Sequence, residues 1–437
     1  MKKTVWLGAC ALLLTLTGGC GWFASPSASP APPSASPVPT ATSTASSSGT
    51  PTPVPSVPAS PSSPPSAEEE AAQAVQAMSL EQKIGQMLLA GVQGTKADAS
   101  AKRMIAEDHV GGIILFKNNL TGGLRSSAEL LNALKAANAG NPAPLFLSVD
   151  QEGGRVNRLP KDFVTMPANA AVGRTGDRAL AAQMGGLIAR ELKLLGFNVD
   201  FAPVLDVNSN PKNPVIGDRS FGSRPALVAK MGVAEMNGIA EGGIIPVVKH
   251  FPGHGDTSVD SHLDLPVVRK TQTELEALEL VPFRSAIESG AEAVMVAHIL
   301  FPKLDPDVPA SLSRNVITGL LRGKLGFDGV VITDDLAMGA IANHYGIEDA
   351  AIRSVKAGAD ILLMAHGYDV EHRVYEALLA AVRDGRIPEK RIDESVTRIV
   401  KLKRSYGLTD DPVAIPSPDD IPNDEIRRWR DKVNAAG

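Results

Sequence analysis

Short apolar, β-branched runs recur along the chain at 86–92, 111–116, 145–149, 199–205, 244–248, 293–297, 329–332 and 360–364. Between them lie segments whose apolar positions fall at helical spacing, at 179–195, 225–242, 271–290, 314–325 and 346–358, several of them ending on glycine as helices do. Ser79-Leu80-Glu81-Gln82 reads as a capping box that opens an earlier helix. The strand-like runs are continuously apolar rather than alternating, which implies burial on both faces and hence a parallel sheet. Eight such repeats predict an α/β fold, a (β/α)₈ barrel of the TIM type, with an open doubly wound sheet as the alternative.

The residues that follow these runs are polar in a way that loop solvation does not require: Lys117-Asn118, Asp150-Gln151-Glu152, Asp206, Lys249-His250, His298, Asp334-Asp335 and Ala365-His366. In a barrel the carboxyl ends of the strands converge on one face, so groups far apart in sequence become one cluster. That convergence is the strongest pointer to a site.

The chain ends change the picture. Met1-Lys2-Lys3, an apolar run to Leu16 and the small residues Thr17-Gly18-Gly19 have the three regions of a secretory signal. The run is shorter than the ~20 residues that span a bilayer, and it stops at Cys20, in a context that resembles a bacterial lipobox. Leu7-Gly8-Ala9-Cys10 fits that consensus better but leaves too short an apolar region, so Cys20 is taken as the lipidation site. From Ala24 to about Pro65 the sequence is nearly all Ser, Pro, Ala, Thr and Val, a composition that cannot offset its ordering entropy. Acidic and then helical patterning sets in near Ser66. The expected division is a signal at 1–20, a disordered linker at 21–70, a single catalytic barrel at 71–410 and a tail at 411–437 holding a Pro/Asp-rich turn region and one short helix.

Net charge is −5 with no block of like charge, so no nucleic-acid partner is expected. The two cysteines, Cys10 and Cys20, both lie in the signal-like segment. The domain therefore has neither disulfides nor thiolate metal ligands.

The stretch KHFPGHGDTSVDSHLDLP, 249–266, concentrates candidate chemistry. His250 and His254 are four apart, the spacing of a helical metal pair, but Pro252, Gly253 and Gly255 argue against a helix there. Asp260-Ser261-His262 places a carboxylate two residues from a histidine, where it can fix the imidazole tautomer so that Nε2 handles a proton. D-x-H is a weak signal by itself. No G-x-S-x-G elbow or Walker loop is present, which leaves the strand-end carboxylates as nucleophile candidates, above all Asp334 in GVVITDDLAMGA. Gly253 and Gly255 would give the loop hinges.

KHFPGHGDTSVDSHLDLP, together with GVVITDDLAM, SVDQEGGRVNRL and NPVIGDRSFGS, resembles glycoside hydrolase family 3, and within it the β-N-acetylglucosaminidase branch; the resemblance runs from about Ser79 to Gly407. It implies a barrel and a retaining double displacement in which Asp334 attacks C1 while His262, oriented by Asp260, acts as acid and then base. It also implies that Asp150, Arg219, Lys249 and His250 bind a terminal N-acetylglucosamine. Asp335 is read as supporting Asp334, and Glu152, Arg155 and His298 as rim or support residues; His254 and Asp256 organise the loop.

The expected protein is an exported, lipid-anchored, exo-acting enzyme on the outer side of a bacterial membrane or at the cell surface. Its expected partners are N-acetylglucosamine-containing glycans or muropeptides and, through Cys20, the membrane. It is read as a monomer without cofactor or metal. Phosphorolysis on the same site and a non-catalytic glycan-binding lipoprotein are the alternatives.

Overall fold

Eight strands form where the apolar runs fall: β1 (Leu88–Gly91), β2 (Gly112–Leu115), β3 (Phe146–Val149), β4 (Val199–Asp200), β5 (Ile245–Phe251), β6 (Ala293–Val296), β7 (Val330–Thr333) and β8 (Leu362–Met364). All of their residues are buried, which is why the runs lack a polar face. The computed structural model describes residues 66–437. The signal-like segment, Cys20 and nearly all of the linker lie outside the described residues.

Every pairing is parallel, in the order β7-β6-β5-β4-β3-β2-β1-β8, with registers such as Leu89 opposite Gly112 and Val247 opposite Ala293. A parallel bridge between Ile332 and Ile361 brings β7 to the approach of β8, so the sheet returns on itself as a barrel. The open doubly wound alternative is thereby excluded. The barrel's basal interior is filled by Leu89, Phe146, Val199, Ile245, Ala293 and Ile361. Leu402, on the helix Glu389–Ser405, closes that end from outside.

Three boundaries differ from the sequence reading, each for a local reason. The first helix, Ala67–Gln76, opens before the expected boundary at 71 because Ser66 and Glu69 form a capping box, each side chain bonding the other's backbone N–H. The strand expected at 199–205 is regular only over its first two residues; Pro203 has no N–H to donate, although Val204 still bridges to Lys249. The single helix expected over 271–290 is two, Gln272–Ala277 and Leu280–Glu288, because Leu278 leaves the helical region at φ −132°. The expected capping box of Ser79 and Gln82 is present.

The tail contains a 14-residue helix, Asn423–Ala436, that packs onto the barrel. Trp429 is buried there and its Nε1–H donates to Leu180 O at 3.1 Å. Upstream, Asp410 accepts from Asn138 and from the Leu145 N–H at the base of β3. Further along, Asn423 holds Val164 N–H and Asp162 O in the loop that follows β3. The tail thus runs along the outside of the barrel and braces a loop at the opposite end.

Candidate active site

The polar residues after the strands do converge. A cavity of about 340 Å³ is lined by Asp150 and Glu152 after β3, Lys249 and His250 of β5, Asp260 and His262 in the following loop, and Asp334 and Asp335 after β7. A larger cavity of about 840 Å³ lies at the barrel's base, between Glu68, Glu292, Phe327, Arg398 and Lys401. Its size does not make it the site, because none of the strand-end groups reaches it.

At the floor of the upper cavity is an ionic network. Glu152 accepts from Arg219 Nε at 2.8 Å and Nη2 at 2.7 Å, and Lys249 Nζ lies 2.7 Å from its Oε1. Lys249 also reaches Asp150 Oδ1 at 2.5 Å. Burial pushes the Glu152 carboxyl up, but Arg219 and then Lys249 outweigh it and hold the group far below the ordinary carboxylate range. Glu152 is 1 % exposed, so it is not a rim residue but the keystone of the network. Asp150 is more open, at 19 %, and its second oxygen is free to accept from a bound molecule.

Lys249 and His250 lie within β5 rather than after it. The strand extends to Phe251 because β4's continuation pairs with it: Leu205 N–H donates to Lys249 O at 2.6 Å and Lys249 N–H to Pro203 O at 3.2 Å. The Lys249–His250 peptide is cis.

Asp206 was named in the sequence only as a strand-end acid, with no role assigned. It is fully buried; its Oδ2 lies 2.6 Å from His250 Nδ1 and its Oδ1 accepts from His254 N–H at 2.6 Å. On the far side of the ring, Arg219 Nη2 approaches His250 Nε2 at 3.3 Å. A guanidinium can only donate, so in the neutral ring Nε2 accepts and the His250 proton sits on Nδ1, facing Asp206. The only sequence signal for Asp206 was its place at the end of an apolar run.

His254 is buried, and burial followed by the neighbouring His250 lowers its pKa to about 4, so the ring is neutral. Its Nδ1 meets Thr257 Oγ1 at 2.7 Å and its Nε2 meets Ser261 Oγ at 3.2 Å. His254 therefore fastens the Asp260-Ser261-His262 segment to the end of β5. The neighbouring glycines meet a packing requirement in this structure. A Cβ on Gly255 would stand 1.7 Å from Val207 O, and one on Gly253, at φ 131°, 2.7 Å from the Glu279 side chain.

Within the segment, Asp260 Oδ1 accepts from His262 N–H at 2.9 Å and meets His262 Nδ1 at 2.7 Å. The imidazole is thereby held with Nε2 outward. His262 is 66 % exposed, in contrast to the buried network below it. Asp260 titrates below its ordinary value: burial raises it, and the backbone N–H and ring of His262 more than compensate.

Asp334 follows β7 directly, its N–H donating to Val296 O and its Oδ1 accepting from Asp335 N–H at 2.9 Å. Burial raises its pKa, and His298, His250, that N–H and His262 together lower it below the ordinary aspartate value, so it stays ionised. Asp335 is tied to the backbone: Oδ1 accepts from the Ala337 and Ala365 N–H groups, and its carboxyl is raised by burial. His298, fully buried, contacts Asp335 O through Nε2 at 2.9 Å and Ser311 Oγ through Nδ1 at 2.6 Å, so it supports the turn that presents Asp334. Arg155 lies at the rim, donating to Val215 O and Ile216 O and paired with Asp218.

Comparison with known proteins gives a consistent result. Residues 79–402 match the family described as Glycosyl hydrolase family 3 N terminal domain. Beta-hexosaminidase A of Pseudoalteromonas piscicida is 37% identical over 337 residues, covering 71% of this chain and 56% of that protein. The chain thus matches little more than half the length of that relative. Beta-hexosaminidase LpqI of Mycobacterium tuberculosis is 37% identical over 334 residues, 75% of this chain and 83% of its own length. Among solved structures, a glycoside hydrolase family 3 beta-N-acetylglucosaminidase from Paenibacillus sp. is similar with a TM-score of 0.79 and 46% identity, covering 82% of this chain and 69% of that one.

Proposed function

The chain belongs to glycoside hydrolase family 3, and from that premise we propose that it is an exo-acting, retaining β-N-acetylglucosaminidase. The observation that carries the reading is a single cavity in which an ionised Asp334, an Asp260–His262 pair and an Asp150–Lys249–Arg219 network meet. The relatives' names, beta-hexosaminidase and beta-N-acetylglucosaminidase, supply the sugar class. A volume near the lower end of small-molecule sites, which run from roughly 300 to 1,000 Å³, suits one terminal sugar.

In the first step Asp334 attacks C1 of the terminal N-acetylglucosamine. The bond to the glycosidic oxygen breaks, and that oxygen takes the proton on His262 Nε2. The imidazolium becomes a neutral ring that still donates Nδ1–H to Asp260, so the acid is never an anion beside the nucleophile. In the second step Nε2 takes a proton from water as its oxygen attacks C1, releasing Asp334 and restoring the imidazolium. Asp150 accepts from sugar hydroxyls. Lys249, Arg219 and His250, already tied to Glu152, Asp150 and Asp206, hold the binding face rigid, so that little reorganisation accompanies the chemistry.

The natural substrate class in this reading is cell-wall muropeptide. The signal-like segment ending at Cys20 and the Ser/Pro/Ala-rich linker would anchor the barrel at a membrane and let it reach a wall. Among the described residues no helix is long and apolar enough to cross a membrane.

Asp334→Ala is expected to abolish release of an aryl leaving group from its β-N-acetylglucosaminide while leaving the melting temperature within a few degrees; near-normal turnover would remove Asp334 as nucleophile. Assaying purified muropeptides with and without phosphate tests substrate and acceptor together. Free N-acetylglucosamine is the expected product in both, and a sugar 1-phosphate as the main product would replace hydrolysis by phosphorolysis. Cys20→Ala is expected to move the protein from the membrane fraction to the soluble one; unchanged partition would refute the anchor.

A further inference from the structure

The pairing of Asp260 with His262 spans two residues, so it fixes the imidazole relative to its own loop and says nothing of where that loop stands relative to Asp334. His254 ties the loop to β5 through Ser261. On the opposite side the loop is held by the segment that follows Asp334. His344 Nε2 meets Asp264 Oδ1 at 2.6 Å, Asn343 Nδ2 donates to Leu263 O at 3.2 Å, and Ala340 N–H donates to Ser261 O at 3.1 Å. Gly339 makes this approach possible: a Cβ there would stand 2.7 Å from both His262 O and Leu263 O. The same segment is fixed on its other flank by Tyr345, whose hydroxyl donates to Asp307 O at 3.3 Å in the loop after β6.

We propose that His344 and Asn343 are positioning residues that clamp the acid/base loop onto the segment carrying Asp334, and so set the reach of His262 Nε2 to the glycosidic oxygen. The inference rests on the reading of His262 as acid/base. Neither residue lines the cavity that would hold the terminal sugar. Both contacts are at the surface, where an ion pair adds little to global stability. Reaction geometry is far less forgiving, since a misplacement of about 1 Å can cost ~100-fold in rate. The clamp therefore has a kinetic signature separable from folding.

The test uses the full chain and two aryl β-N-acetylglucosaminides, one with a good leaving group (2,4-dinitrophenyl) and one with a poor one (4-methoxyphenyl). In His344→Ala, kcat for the poor leaving group should fall about tenfold more than for the good one, with KM and melting temperature little changed. Asn343→Ala should show the same bias more weakly. His344→Gln, which can still donate to Asp264, should restore the wild-type profile. In a His262→Ala background, His344→Ala should add no further loss, because the group it positions is gone. Equal losses on both substrates, wild-type behaviour of His344→Ala, or an additive loss in the double variant would each overturn the clamp while leaving the acid assignment intact. A His262→Ala variant without leaving-group bias would instead overturn that assignment, and the clamp with it.

Discussion

Glu152 shows how much of this site is decided by partners remote in sequence. From the motif VDQEGGR it reads as one of several strand-end acids; in the structure it receives Arg219 from 67 residues away and Lys249 from β5, and all three are nearly out of solvent. Removing one member of such a buried set strands the others. Glu152→Ala should cost about 3–5 kcal/mol of stability and most of the activity, measured by denaturant unfolding and by turnover of an aryl substrate. A surface-like cost below about 1 kcal/mol would contradict the keystone role. Asp206 makes the same point from the other side. It fixes the His250 tautomer across 44 residues of sequence, and no local pattern distinguishes it from any aspartate after a strand. Residue types that carry chemistry, and the local Asp260–His262 pair, were legible, whereas orienting partners remote in sequence, such as Asp206, were not.

At the scale of elements, the long apolar runs were readable because burial on both faces leaves no other pattern. Their ends were not, since they depend on what the neighbouring strand offers: β5 runs to Phe251 because the chain after Pro203 pairs with it. The glycines of KHFPGHG illustrate the same limit. In sequence they suggest hinges, and only the structure adds that Gly255 is required by the Val207 carbonyl that packs against it. Gly255→Ala should displace the loop and lower both activity and melting temperature, read by turnover of an aryl substrate and by thermal melts. The tail is an element whose worth only packing reveals. Its helix is strongly charged, yet it buries Ile426, Trp429 and Val433 against the barrel. Trp429→Ala should cost about 3–5 kcal/mol, read as a lowered urea midpoint.

The whole molecule adds a pH dependence that no motif announces. Glu191, on the helix Arg178–Leu195, is buried with neither carboxylate oxygen hydrogen-bonded among the described residues, and burial pushes its pKa to about 8. Its folded value lies above the unfolded one, about 4.3. The folded state therefore keeps a proton that the unfolded chain has lost, and its share of stability is full below about pH 4 and falls away as pH rises to about 8. Glu191→Gln should match the wild type near pH 4 and be more stable by a few kcal/mol near pH 8.5, in paired thermal melts. Parallel curves across that range would show that the wild-type carboxyl is not held neutral.

The sequence by itself determined the eight-fold alternation of strand and helix, which narrowed the fold to a barrel or an open doubly wound sheet, and the chemical inventory. Eight apolar runs separated by helical segments permit few other architectures, and the long motifs fix which residue types stand at the strand ends. Only the tertiary structure decided how those residues are used. Which carboxylate is open to a ligand and which is locked in a network, which histidine is neutral, and what holds His262 against the segment of Asp334 all depend on contacts across tens to hundreds of residues. Such contacts are set by the closure of the barrel, and local pattern carries no record of them.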